Sequence, residues 1–409
     1  MTTVFDERWL SLLIVFGIIG ALTRSPALIG VVLLSATLAL LSHGLRRFAL
    51  RGVAYARRFS ESRLFVGETV TVTCTAANHG RLPLISLLVL DGAPRGFRPA
   101  LKDGTIFPKA GGGLGYSHHF ALLPGERASR RVSLQPVRRG YYVFQDAEIG
   151  MADPLGLSEA ERLHKSRDTV IVYPRVYPLD ELGIQTREPY GALHALRGLI
   201  EDPLLIVGAR DYQQGDAFRQ IHWKATAHRG ALQTRVCEFA SDPTAIVWLN
   251  VSTFAEVWHG TDVERMEWAV SVAASIAAWA HQTGAVVGLI CNGNAPGAPK
   301  SVRVRAARSP DQLLRILEAL AVVGPYAFFP FDRFLLLEQP SVPHGATQIV
   351  VTPLLTPDIE MTLRLLREQG KRLALVCVDR AAPGLDRLSF PAYHVPPSPD
   401  MPATEPEAL

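Results

Sequence analysis

Residues 208–230 read GARDYQQGDAFRQIHWKATAHRG and gather Arg210, Arg219, Lys224 and Arg229 with Asp211, Asp216, His222, His228 and Trp223. Two of these, Asp216 and His222, are the residue types of a general acid/base pair. Acid/base hydrolysis also needs a nucleophile or a metal in reach, and the stretch offers only Thr226. A hydrolase that uses Asp216 and His222 is therefore the alternative, and binding is the leading reading.

Two binding-type readings stay open. In the first, Arg210 and Arg219 pair with Asp211 and Asp216 in an ionic knot that locks a domain junction, because lone buried charges are costly. In the second, Arg210, Arg219, Lys224 and Arg229 face an acidic partner, with Trp223 as the aromatic anchor. A nucleic-acid surface is weaker than either, since one tryptophan gives no stacking series. Gln213-Gln214-Gly215-Asp216 reads as a turn, with Asp216 as N-cap of a helix over about 217–228 and Gly230 as its stop. Phe218, Ile221 and Ala225 would anchor one side of that helix.

The elements around this stretch have two rhythms. Over 59–178 the pattern is short and period-two: Val70, Val72, Cys74 and Ala76 alternate with threonines, and similar runs follow at 84–90, 128–135, 141–149 and 169–173. Turn-forming NHG, PGER, RRG and DPLG separate them, which predicts an Ig-like β-sandwich. The AGGGLG run at 110–115 lacks the Gly-Lys-Ser/Thr ending of a phosphate loop and reads as a hairpin tip. Over 242–394 apolar strands at 244–251, 285–291, 347–351 and 372–378 alternate with helical periods, which predicts an α/β domain with a mainly parallel sheet. A helix is expected over 262–283, ending at Gly284, and another behind Thr356-Pro357, closed by Gly370. Residues 179–241 then form a linker that contains the 208–230 motif, and the proline-rich, acidic stretch 395–409 reads as a disordered tail.

Residues 9–45 are apolar, with Arg24 as the only formal charge. Pro26 divides the run into 9–22 and 26–45, which predicts a transmembrane helical hairpin within residues 1–58. The first half would reach only ~21 Å of a ~30 Å hydrocarbon core. Arg46, Arg47, Arg51, Arg57 and Arg58 follow the second half, so the positive-inside rule places the ends and the soluble domains on the cytoplasmic side of the cytoplasmic (inner) membrane. Asp6 and Glu7 argue against a cleaved signal peptide.

Composition adds exclusions. Forty-two Lys and Arg against 38 Asp and Glu give a net charge of +4, too even for a global field toward nucleic acid. Cys74, Cys237, Cys291 and Cys377 have neither zinc nor redox spacing, so no metal or cofactor is expected from them.

The motif residues resemble the hallmark of the bacterial domain-of-unknown-function family 58, R-x-Y-x-x-G-D-x-x-R-x-I-x-W-K-x-x-A-x-x-G. They stand here as Arg210, Tyr212, Gly215, Asp216, Arg219, Ile221, Trp223, Lys224, Ala227 and Gly230. VGE at 66–68, NHG at 78–80, RRGYY at 138–142, DPLGL at 153–157 and VYPR at 172–175 add to the resemblance. It implies a membrane-anchored protein with a von Willebrand factor A-like C-terminal domain, often encoded beside a MoxR-type AAA+ ATPase, which is the implied partner. It implies no assigned activity.

Von Willebrand A domains often hold a divalent metal with D-x-S-x-S after the first strand; the matching positions here are Asn250, Ser252 and Phe254, a degenerate set that lacks the carboxylate. No metal site is expected. The strand ends of such a sheet still form a crevice, which Asn250, Ser252, Asn292, Thr352 and Asp379 would line. With no phosphate loop and no convergent nucleophile, the expected function is a non-enzymatic membrane adaptor or scaffold that binds the lipid bilayer and an AAA+ ATPase, and no nucleic acid.

Overall fold

The computed structural model describes residues 7–24, 26–100, 105–109, 113–152, 159–184, 201–212, 221–239, 244–255, 259–295, 298–381 and 384–397. The chain divides into two compact units, Met1–Tyr173 and Pro174–Leu409.

The N-terminal unit opens with α1 (Glu7–Leu22) and α2 (Pro26–Ala49), joined through Arg24 at φ 52°. Among the described residues no helix is long and apolar enough to cross a membrane, so the expected transmembrane hairpin is corrected. Apolar composition misled the reading: α1 has 16 residues, ~24 Å of rise, and the last turns of α2 carry His43, Arg46 and Arg47. The inner-membrane location and the cytoplasmic side were inferred from that hairpin and have no spanning helix to rest on.

Strands β1 (Val53–Phe59), β2 (Arg63–Phe65), β3 (Val70–Asn78), β4 (Leu84–Ala93), β5 (Phe97–Pro99), β6 (Ile106–Pro108), β7 (Leu114–Leu122), β8 (Arg127–Pro136), β9 (Gly140–Phe144), β10 (Ala147–Ala152), β11 (Glu159–His164) and β12 (Asp168–Tyr173) follow. They sort into sheets ordered β1-β3-β8-β5, β11-β10-β4-β7-β6 and β2-β12-β9. Three sheets rather than two correct the expected Ig-like arrangement. β2, which no period-two run covers, and β9, which the 141–149 run merges with β10, pair with β12 to make the third. The inward positions Val70, Val72, Cys74, Leu87, Val89, Phe120, Leu134, Phe144 and Val170 fill one apolar core, as alternation requires. Gly52 permits a close crossing, because a Cβ there would stand 2.4 Å from the Gly80 nitrogen.

This core contains a buried ion pair. Arg57 Nη1 donates to Asp91 Oδ1 at 2.5 Å, and Arg57 Nε donates to Asp168 Oδ2 at 2.9 Å. The Tyr55 hydroxyl donates to Asp91 Oδ2 at 2.7 Å, and the Gly92 nitrogen donates to Asp91 Oδ1 at 2.6 Å. The buried carboxylate thus has three donors, the condition under which an interior charge is tolerated. The same burial pushes the neighbouring Cys74 thiol up to about 12.

The C-terminal unit contains an irregular antiparallel pair, β13 (Glu201–Asp211) and β14 (Gln233–Phe239), joined across the short helix α3 (Trp223–Arg229). Its main sheet uses β15 (Thr244–Leu249), β16 (Val286–Ala295), β17 (Ala298–Ala307), β18 (Thr347–Thr352), β19 (Arg372–Cys377) and β20 (Ala392–His394), ordered β17-β16-β15-β18-β19-β20. All neighbours pair in parallel except β16 and β17. Among the described residues three of the five sheets are wholly antiparallel, and the mainly parallel arrangement expected over 242–394 describes this one alone.

Helices α4 (Val263–Gln282), α5 (Gln312–Val322), α6 (Phe331–Glu338) and α7 (Pro357–Glu368) accompany the sheet. Asp262 caps α4 by accepting from the Arg265 nitrogen, and Thr356 caps α7 by accepting from the Ile359 nitrogen. The central strands β15, β18 and β19 are buried along nearly their whole length, the continuous apolar pattern of a sheet covered on both faces.

Candidate functional site

Two places in the C-terminal unit carry the residues singled out by the sequence. The first is the turn around α3. Ile221 is buried and bridges Thr234, the His222 nitrogen donates to the Gln233 carbonyl at 2.7 Å, and the Tyr212 nitrogen donates to the Leu232 carbonyl at 2.9 Å. Backbone pairing on both sides therefore clamps the helix to the β13–β14 pair. Its N-cap is His222, whose Nδ1 accepts from the Ala225 nitrogen at 3.1 Å. α3 thus starts at Trp223, with a side chain read as a candidate base as its cap, and the start expected near 217 lies outside the described residues. Gly230 ends it in the left-handed region at φ 69°.

Gln233, which no spacing in the sequence marked, is the hub beneath this helix. It is fully buried; its Nε2 donates to Asp211 Oδ1 at 2.5 Å, and its Oε1 accepts from Arg229 Nη1 at 3.3 Å. Its backbone nitrogen donates to the Thr226 hydroxyl at 3.0 Å, which occupies the one hydroxyl that a hydrolytic reading had to use. The Asp211–Arg229 pair, at 4.0 Å, has both side chains more than two-thirds exposed. Solvent screens such a pair, and the knot expected of Arg210 and Arg219 with Asp211 and Asp216 rests on side chains outside the described residues. Gly215, Asp216, Arg219 and the side chain of Arg210 lie outside the described residues.

Above the hub α3 buries none of its residues. Trp223 is 62% exposed, and Lys224, His228 and Arg229 are exposed beside it. A large apolar ring held in solvent on a clamped element is the composition of an interface anchor.

The second place is the carboxyl end of the main sheet. Asn250, Asn292 and Thr352 come together as a buried network. Asn250 Oδ1 accepts from Asn292 Nδ2 at 2.9 Å and from the Ser252 nitrogen at 3.0 Å, and Asn250 Nδ2 donates to Thr352 Oγ1 at 3.0 Å. Asn292 Oδ1 accepts from the Val251 nitrogen at 2.9 Å, and Thr352 Oγ1 donates to the Leu354 carbonyl at 2.6 Å. Each of these amide and hydroxyl groups is hydrogen-bonded within the protein. These residues do not fit a divalent cation, which needs free hard oxygens and a carboxylate.

Asp379 is not in this network. It joins Asp262 around Arg265, a residue the sequence reading passed over: Arg265 Nε donates to Asp262 Oδ2 at 2.8 Å and Arg265 Nη1 to Asp379 Oδ1 at 3.2 Å. The guanidinium stands 5.1 Å from the centroid of the Phe254 ring. Burial raises the Asp262 carboxyl, but the Arg265 nitrogen, its guanidinium and the nearby Arg380 outweigh that and hold it below its ordinary range. The acid before the helix and the arginine three positions on were the readable signal for half of this cluster.

Residues 208–388 match the family model described as "Protein of unknown function DUF58". The matched segment is somewhat less than half of the chain. The match begins at the first residue of the motif stretch and takes in α3, the main sheet up to β19 and the Arg265 cluster. A relative, "Uncharacterized protein YeaD" of Bacillus subtilis (strain 168), is 26% identical over 345 residues, covering 80% of this chain and 76% of its own. Among solved structures, a CARDB domain from Pyrococcus furiosus matches at 14% identity and TM-score 0.20, covering 29% of this chain and 91% of that one. A cohesin module from Clostridium perfringens matches at 15% identity and TM-score 0.21, covering 29% and 96%. At such TM-scores neither likeness informs fold or function.

Proposed function

We propose that this DUF58 protein is a non-enzymatic adaptor that docks a protein partner through the exposed face of α3. The observation that carries the reading is Trp223, exposed on a helix whose other side is clamped by Ile221, Gln233 and Gly230. An exposed tryptophan with a lysine and an arginine beside it suits an acidic, partly apolar partner patch. The family resemblance makes a MoxR-type AAA+ ATPase the candidate partner, and a von Willebrand A-like role of the main sheet would be to hold α3 and its neighbours rigid. The alternative, a hydrolase using Asp216 and His222, is disfavoured by the engagement of His222 Nδ1 as a helix cap and of the Thr226 hydroxyl by Gln233.

His222→Asn separates the two, because asparagine caps a helix as well as most residues but carries no imidazole. An adaptor keeps its affinity for the purified ATPase in this variant. Hydrolysis of a chromogenic ester or phosphate by the wild type, abolished by His222→Asn, would sink the adaptor reading.

A further inference from the structure

The outer face of the β1-β3-β8-β5 sheet is built from arginine and hydroxyl side chains. Alternation places Ala54, Ala56 and Arg58 of β1 on it, with Thr71, Thr73 and Thr75 of β3, Arg98 of β5, and Arg127, Ser129, Arg131, Ser133 and Gln135 of β8. No Asp or Glu occurs at any of these positions. Arg58, Arg98, Arg127 and Arg131 are all exposed, and Arg98 donates to Gln135 Oε1 at 2.8 Å. Among the described residues no carboxylate lies within ion-pair distance of Arg58, Arg127 or Arg131, whereas Arg57, on the opposite face of β1, is paired twice.

The register fixes the spacing. Arg58 and Arg131 both stand opposite Thr73, one on each side, which sets them ~9.6 Å apart at two strand spacings. Arg127 and Arg131 are four residues apart on one strand, ~13.6 Å. Between them the Thr75 and Ser129 hydroxyls bond each other at 2.9 Å. At the end of β1 the face meets an open cleft of about 780 Å³ lined by Arg58, Ser62, Arg63 and Arg167, with Glu61 and the Arg57-bound Asp168 also at its wall. On the sheet face itself Arg58, Arg127 and Arg131 repel one another with no carboxylate among the described residues in ion-pair reach, and a ligand bearing carboxylates relieves that repulsion while offering each guanidinium a bidentate acceptor.

We infer that this face docks an extended acidic segment of a protein partner. Carboxylates four residues apart on an extended chain laid along β8 match Arg127 and Arg131, and the serine and threonine hydroxyls meet the main chain between them. Single-stranded nucleic acid fits less well, because none of the outward positions named is aromatic and bases would have no stacking platform. The face belongs to the N-terminal unit and is separate from α3, so it stands or falls independently of the adaptor reading.

The test is fluorescence anisotropy with labelled poly-L-glutamate as the probe and the full chain as the protein. Wild type is expected to bind at about 50 mM salt and to weaken several-fold at about 200 mM as the Debye length shrinks. Arg127→Ser/Arg131→Ser is expected to weaken binding at least tenfold with an unchanged thermal midpoint, and Arg58→Ser to weaken it by a smaller factor. Arg364→Ser/Arg367→Ser on α7, a surface in the other unit, is expected to leave it unchanged. Three results overturn the inference: no binding of polyglutamate, equal weakening by the α7 variant, or tighter binding of single-stranded DNA than of polyglutamate.

Discussion

Arg57 shows what a single side chain costs and stabilises in this fold. It is buried to 7% exposure and its guanidinium supplies both Asp91 and Asp168, so removing it leaves the Asp91 carboxylate buried with reduced compensation. Arg57→Met is expected to destabilise the N-terminal unit by about 3–5 kcal/mol, read by urea denaturation. A loss under about 1 kcal/mol would mean that water replaces the guanidinium. Cys74 gives a second check at this scale. Its thiol, raised to about 12 by burial, should not react with a disulfide reagent at neutral pH until the unit unfolds. Neither partnership was readable beforehand, since Arg57 and Asp91 lie 34 positions apart and stand on β1 and β4, strands of two different sheets that share one core.

At the scale of elements, helix ends carry the testable chemistry. The α4 N-terminus holds Asp262 below its ordinary range, so its contribution to stability is fully present above the unfolded value of about 3.9 and is lost as pH falls through the lower folded value. Asp262→Asn is expected to flatten the acid limb of the stability curve below about pH 4, measured by thermal melts across pH. An unchanged limb would remove Asp262 from that account. At the other end of α3, Gly230 sits at φ 69° with nothing within 4 Å of a built Cβ, so Gly230→Ala tests backbone strain alone. A loss of about 1–2 kcal/mol is expected by chemical denaturation.

Elements differed in how much of them the sequence revealed. The helix expected over 262–283 runs Val263–Gln282 because Asp262 and Gly284 are strong boundary residues, and Thr356-Pro357 opens α7 for the same reason. By contrast, α3 is capped at His222, a residue type that is not among the preferred caps, and the cap expected at Asp216 lies outside the described residues. Gln233 was missed because a polar residue within a strand carries no periodic mark of burial.

Over the whole molecule, local periodicity reported strands and helices better than it reported assembly. Period-two runs located β3, β4 and β8, but the sorting of twelve strands into three sheets depends on pairings that no local pattern encodes. The apolar run at 9–45 was read as membrane-spanning from composition, while among the described residues no helix is long and apolar enough to cross. The candidate site was half legible. The motif pointed to α3, but not to its being clamped by Gln233, and the strand-end polar residues proved to be a closed network rather than a ligand set.

A docking role for α3 is tested most directly by the Kd between the purified chain and a purified MoxR-type AAA+ ATPase, compared for wild type and Trp223→Ala. Trp223 is 62% exposed and α3 buries no residue, so its truncation should leave the thermal midpoint in place. A rise in Kd of at least about tenfold, or about 1.4 kcal/mol, is expected if the ring is the anchor. An unchanged Kd in a variant that melts normally would contradict the role assigned to α3.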